Sequence, residues 1–257
     1  MYYEPGKTPH GLPHDPFKSC VVPRPIGWIS TVSAQGVHNL APYSQFQNVT
    51  FDPPIVMFSA NQTTQGERKD SVRNAEQMGQ FVWNMATFAQ REAVNISAEE
   101  LPHGVDEFER AGLGKLESRL VKPSRVKGSP IQFECEYLNT LRFPGRPPMG
   151  TVDVVFGRVV AIHIDDQYID ANGMVDVLKM QPIARMGYYE YTTVDNKFQM
   201  LIPGNSKALL AGLEGLPQGA LDDVVADVLH LVVAELGIPQ ARHRVVFIQA
   251  LLGLGRG

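Results

Sequence analysis

Between Pro25 and Thr193 the chain repeatedly spells short β-prone runs closed by turn residues, with few helical stretches between them. "PIGWISTVS" from Pro25 to Ser33 predicts a strand, "AQG" supplies a turn, and "VHNLAPYS" predicts the return strand of a hairpin. "PIVMFSA" after Pro53 is a short, nearly continuous apolar run, as a buried strand requires. "IQFECEYLNTL" alternates, setting Ile131, Phe133, Cys135 and Tyr137 against Gln132, Glu134 and Glu136, the pattern of a half-buried strand. "TVDVVFGRVVAIHID" is apolar on both faces, which predicts a barrel strand buried inside and covered outside. "RMGYYEYTTV" reads as a last strand. Short strands of this kind, joined by turns, indicate a mainly β barrel.

Helical insertions break the series. In "ERKDSVRNAEQMGQFVWNMA" Asp70 or Ser71 can cap a short helix, Gly79 suits its end, and "FVWNM" resumes as a strand. "FAQREAVNISAEE" and "VDEFERAGL" predict two more helices, the second ending near Gly112. The Pro-, Gly- and His-rich residues 1–17 read as an extended arm, and residues 18–197 as the barrel domain. From about Phe198 the character changes: Val224, Val225, Val228, Leu229, Val232 and Leu236 fall at helical spacing. Residues 198–257 are therefore expected to form a helical extension packed on the barrel or on a dimer.

Composition narrows the function classes. A net charge of −4 and a pI near 6.0 argue against nucleic acid or an anionic membrane as the main partner. No apolar run approaches the length a bilayer needs. The N-terminal segment lacks the apolar stretch of a secretory signal, and Cys20 and Cys135 sit apart among apolar neighbours. The expectation is a cytoplasmic protein with two small core cysteines.

The best candidate site is "RKDS", Arg68 to Ser71, at the start of the first helix. Two cations, a hydroxyl and free helix amides suit a phosphate monoester, although a charged, capped helix start is also commonplace. "STVS" and "SQFQNVT" are small polar runs that let a planar ligand approach the backbone, or else ordinary strand and turn chemistry. His10 and His14 lie in a proline-containing loop, which does not suggest a metal site, and His163 reads as a satisfied barrel histidine. The terminal "GLGRG" has no helix after it to receive a phosphate.

Taken in order, "PRPIGWISTVSAQGVHNLAPYSQFQNVTFDPPIVMFS", "RKDSVRNAEQMGQFVWN", "VDEFERAGL", "SPIQFECEY", "VVFGRVVAIHIDD" and "PIARMGYYEY" resemble the flavin reductase-like, FMN-binding split-barrel family, its flavoredoxin-type branch above all. The resemblance runs from about Phe17 to Tyr191. It implies a homodimer of split β-barrels of Greek-key type, with FMN near the subunit interface. Ser30 and Thr31 would then lie against the flavin and ribityl chain. Tyr43, Ser44 and the Asn48, Val49, Thr50 run would line the polar edge of the ring. Arg68, Lys69 and Ser71 would hold the phosphate, with Arg185 closing the site. NADH-using members carry Gly-Asp-His before the long strand, where this chain has Gly150-Thr151-Val152.

The implied function is an FMN-dependent oxidoreductase. It would take a hydride from NADH or NADPH and reduce free flavin or a small oxidised substrate, such as a nitroaromatic. The alternatives are an electron carrier for a redox partner protein and a flavin-binding protein without catalysis. No general acid or base is named by the sequence; Tyr188, Tyr189 and His163 are the groups that could reach a site.

Overall fold

The computed structural model describes residues 1–199, of which Met1–Lys197 form one compact unit. The predicted tail helix lies outside the described residues.

The first strands are β1 (Arg24–Pro25), β2 (Gly27–Val32), β3 (His38–Tyr43), β4 (Phe46–Phe51) and β5 (Pro54–Asn61). Helix α1 (Asp70–Met78) and β6 (Gln80–Asn84) follow, then α2 (Arg91–Ile96) and α3 (Glu107–Arg110). The short pair β7 (Lys115–Leu116) and β8 (Arg125–Val126) leads to the two long strands, β9 (Ile131–Phe143) and β10 (Val152–Ile164). Helix α4 (Val177–Met180), β11 (Ile183–Arg185) and β12 (Tyr191–Thr193) complete the series.

Seven strands make one antiparallel sheet in the order β3-β2-β6-β9-β10-β5-β4. Its edge strands, β3 and β4, are separated in sequence by Ser44 and Gln45 alone. So short a link forces the sheet to curl until its edges meet, which makes it a barrel. Inside lie Ile29, Phe58, Val72, Phe81 and Val155, with Phe46 stacked on Trp83 at 5.3 Å. A second apolar cluster of Trp28, Leu40, Phe108, Val126 and Ile183 packs the helical insertions onto the sheet. Strands β1, β11 and β12 form a separate small sheet.

Helix α1 ends as its sequence demands, with Gly79 at φ +69°, a left-handed conformation that glycine takes without penalty. Its start differs from expectation. Lys69 holds the cap position and no side chain caps the helix. The Ser71 hydroxyl donates instead to Asn39 Oδ1 at 2.8 Å, and the Asp70 carboxylate faces His103 Nδ1 at 2.5 Å.

Other expectations are corrected by packing. The polar face of β9 is solvated only in part: Gln132 and Glu134 are buried, while Glu136 stays half-exposed. Among the described residues the outer face of β10 is only partly covered, and Ile162 is 55% exposed. Cys20 is exposed on the N-terminal segment, whereas Cys135 sits in the core, where burial pushes its thiol up. "RMGYYEYTTV" is not one strand: it leaves β11 at Arg185, turns, and returns as β12. His163 is paired as expected, its Nε2 lying 2.5 Å from Glu134 Oε1.

Candidate functional site

A cleft of about 110 Å³ opens where β3, the start of α1 and the loop between α2 and α3 converge. Tyr43, Lys69 and Ser71 line it, together with Asn39, Thr63, Glu100, His103 and Glu107. A second hollow of about 300 Å³ shares Asn39, Asp70 and His103 with it and extends toward Ser33 and Gln35. The first turn of α1 leaves amides without intrahelical partners, so one wall of the cleft is inherently electropositive.

Behind that wall lies a buried polar relay. Glu107 accepts from Asn39 Nδ2 and from the Leu40 amide, both at 2.9 Å. The first contact fixes which way the Asn39 amide points, leaving its Oδ1 to accept from Ser71 Oγ at 2.8 Å and Thr31 Oγ1 at 3.3 Å. Asn74 Nδ2 in turn donates to Thr31 Oγ1 at 3.1 Å. Burial pushes the Glu107 carboxyl up, and that effect outweighs the Leu40 and Asn39 hydrogen bonds.

Two features of the cleft point to an outside ligand. The Tyr43 hydroxyl is buried beside Ser71 without a well-formed hydrogen bond, and burial pushes it well above the ordinary phenol range, outweighing the Ser71 contact. A buried polar atom without a well-formed bond costs free energy, so a site that tolerates one usually has a use for it. The second feature is Lys69, whose ammonium faces the cleft and pairs with Glu100 at 2.8 Å.

The remaining residues singled out by sequence are placed elsewhere. Ser30 is fully buried, donating to the Ser124 carbonyl at 2.6 Å and accepting from Asn84 Nδ2 at 3.2 Å. It neighbours Thr31 on a strand, so the two side chains leave opposite faces. Arg68 is engaged between Asp153, at 3.0 Å, and Glu76, at 2.8 Å. Arg142 joins the same two carboxylates. Asn48, Val49 and Thr50 lie on the edge strand β4, where a bulge interrupts pairing with β5 and Val49 is 50% exposed. Ser44 sits in the link after β3, against Gln45. Arg185 donates to the Tyr191 hydroxyl at 2.7 Å and lies over that ring, within the small sheet. None of these residues lines the cleft.

Sequence reading missed Asn39, Glu100, His103 and Glu107. Asn39 reads as one more polar residue in a strand, and the others as the solvated side of short helices and their loops. Only the chain's return at residues 97–107 brings them to α1.

The family described as flavin reductase like domain matches residues 19–179, more than half of the chain. An uncharacterized protein of Aquifex aeolicus is 39% identical over 171 residues, covering 66% of this chain and 84% of that one. Among solved structures, nitrilotriacetate monooxygenase component B from Bacillus cereus superposes with a TM-score of 0.71 at 28% identity. That superposition covers 78% of this chain and 98% of the other. The 2-nitrobenzoate 2-nitroreductase NbaA of Pseudomonas fluorescens gives 0.64 at 26% identity, covering 73% and 88%. The curled seven-stranded sheet is thus a split β-barrel. With the family model spanning the barrel from end to end, the chain belongs to the flavin reductase-like family.

Proposed function

We propose that this protein is an FMN-dependent oxidoreductase that takes a hydride from NADH or NADPH and reduces free flavin or a small oxidised substrate. The observation that carries the reading is the cleft at the start of α1, found in a chain of the flavin reductase-like family. Lys69, Ser71 and the first amides of the helix offer a phosphate monoester one cation and a set of donors, in a cleft that Asp70, Glu99, Glu100 and Glu107 also line. The Tyr43 hydroxyl, without a well-formed hydrogen bond, offers one more donor beside Ser71. Arg68 does not fit this role, being held by Glu76 and Asp153.

FMN, when bound, supplies the hydride and electron chemistry, and the protein supplies position and electrostatics. Lys69 and the helix amides neutralise the phosphate. The Glu107–Asn39 pair keeps Ser71 in one rotamer, so the hydroxyl is oriented before a ligand arrives. A cleft of about 110 Å³ suits the phosphate end alone, since whole-ligand sites run roughly 300–1,000 Å³. The flavin ring therefore needs a further wall, and we propose that a second copy of the chain provides it. The nitroreductase activity named for NbaA makes nitroaromatics a reasonable first substrate class.

A flavoredoxin-like carrier serving a redox partner protein is the second reading. Gly150-Thr151-Val152 favours it, standing where NADH-using members carry Gly-Asp-His. Among the described residues, no helix is long and apolar enough to cross a membrane.

The test is the visible spectrum of the purified protein with FMN under anaerobic conditions, before and after NADH and then NADPH. A bound flavin that bleaches promptly is the expected result. A bound flavin that persists favours the carrier, and a protein that fails to bind FMN overturns both.

A further inference from the structure

The cradle at the start of α1 already holds an anion, and that anion belongs to the chain. Glu100, in the loop after α2, places its carboxylate on Lys69 Nζ at 2.8 Å, Thr64 Oγ at 2.6 Å and the Thr64 amide at 3.0 Å. Lys69 and Glu100 both line the cleft that Ser71 and Tyr43 also line. The two Thr64 donors are presented together by a closed turn. In it the Gly66 amide bonds the Thr63 carbonyl at 2.9 Å and the Glu67 amide bonds Thr63 Oγ at 3.0 Å. The Lys69 and Thr64 contacts hold the Glu100 carboxyl down to about 2, so it is a full anion at neutral pH.

Glu100 uses only part of what the cleft offers. Its hydrogen bonds stop at Thr64 and Lys69, and the buried Tyr43 hydroxyl remains without a well-formed hydrogen bond. A carboxylate brings one charge and two oxygens, whereas a phosphate monoester brings close to two charges and three acceptor oxygens. The phosphate is the stronger occupant. Glu100, however, is tethered, and a tethered group competes at an effective concentration on the order of millimolar.

We propose that Glu100 is an internal competitor for the anionic group this cradle receives, and that it shortens the residence of a bound phosphate monoester. The proposal rests on the FMN reading of the cleft. As the phosphate leaves, Glu100 takes up Lys69 and Thr64, so release never strands the ammonium without a counter-charge. A flavin held this way is exchanged readily, which suits a protein that hands flavin on more than one that keeps it.

Glu100→Gln tests this, because the side chain keeps its size but loses the charge that forms the ion pair with Lys69. Glu100 is an exposed loop residue, so the variant is expected to fold. Binding and stopped-flow release are measured with FMN and with riboflavin, which lacks the phosphate. In the variant, FMN is expected to bind about tenfold tighter and to leave about tenfold more slowly, with riboflavin unchanged. Raising the salt should shrink the FMN difference. Equal FMN release in the two proteins, or equal tightening of riboflavin, overturns the proposal.

Inorganic phosphate gives a readout independent of flavin. It should shift the Thr64 amide resonance at about tenfold lower concentration in the variant than in the wild type. An unchanged midpoint overturns the competition, whereas failure of both proteins to bind FMN, with that phosphate difference present, overturns only the FMN reading.

Discussion

Glu107 and Glu134 are both buried glutamates, and their surroundings move them in opposite directions. At Glu134 burial raises the carboxyl. The Arg119 and Leu120 amides, at 2.8 and 2.6 Å, and His163 more than offset that, and the net shift is downward. At Glu107 burial prevails and the shift is upward. A carboxylate whose folded value lies below its unfolded one, about 4.3 for glutamate, stabilises the fold above that pH and loses the contribution in acid. A raised one has the reverse sign: its charged form is a cost to the folded state above its folded value. Glu134→Gln turns an amide N–H₂ toward backbone N–H donors and should lower the unfolding free energy by about 2–3 kcal/mol at pH 7. That deficit should narrow as the pH falls toward 3. Glu107→Gln keeps one oxygen that can accept from both Asn39 and Leu40, and should change stability by less than about 1 kcal/mol at pH 7. Urea unfolding of both variants at pH 7 and pH 4 measures the contrast. Equal losses in the two would overturn this account.

At the scale of elements, the long strands show what the sequence could and could not reveal. The alternation in "IQFECEYLNTL" correctly implied a strand, now β9, with Ile131 and Cys135 in the core. It also implied a wet face, and that held at Glu136 but failed at Gln132 and Glu134. The segment between α3 and β9 folds back over that face, and Gln132 and Glu134 serve it as hydrogen-bond partners. A period of two marks a strand but does not mark what lands on it. Gly157 on β10 carries information that the apolar pattern hid. A Cβ there would sit 2.3 Å from the Phe81 ring, which is fully buried and cannot move aside. Gly157→Ala is therefore expected to destabilise the barrel by about 1–3 kcal/mol, read from urea unfolding. Wild-type stability in that variant would show that β10 and β6 can separate without cost.

At the scale of the whole molecule, the barrel was legible because each strand carries its own local signal, while the site was legible only in part. Lys69 and Ser71 announce themselves within one short helix start, but their neighbours come from residue 39 and from residues 97–107, joined only by the fold. The face proposed for a second copy was the least legible feature, since an apolar outer face and an apolar inner face read alike along a strand. The structure separates them. Val155 points into the core, whereas its neighbours Val154 and Phe156 share the outer face with Leu141 and Met57, their cross-strand partners. Leu141 is 45% and Phe143 53% exposed, and no described element covers this stripe. Apolar patches of this kind mark association surfaces, and the small cleft independently calls for a second wall. The wild-type protein is accordingly expected to run as a dimer in size-exclusion chromatography with light scattering at micromolar concentration. Leu141→Glu would place unpaired charges in the contact and should shift the mass toward a single chain without changing the far-ultraviolet circular dichroism. A wild-type protein that stays monomeric, or a variant that stays dimeric, would leave this face without the role argued for it.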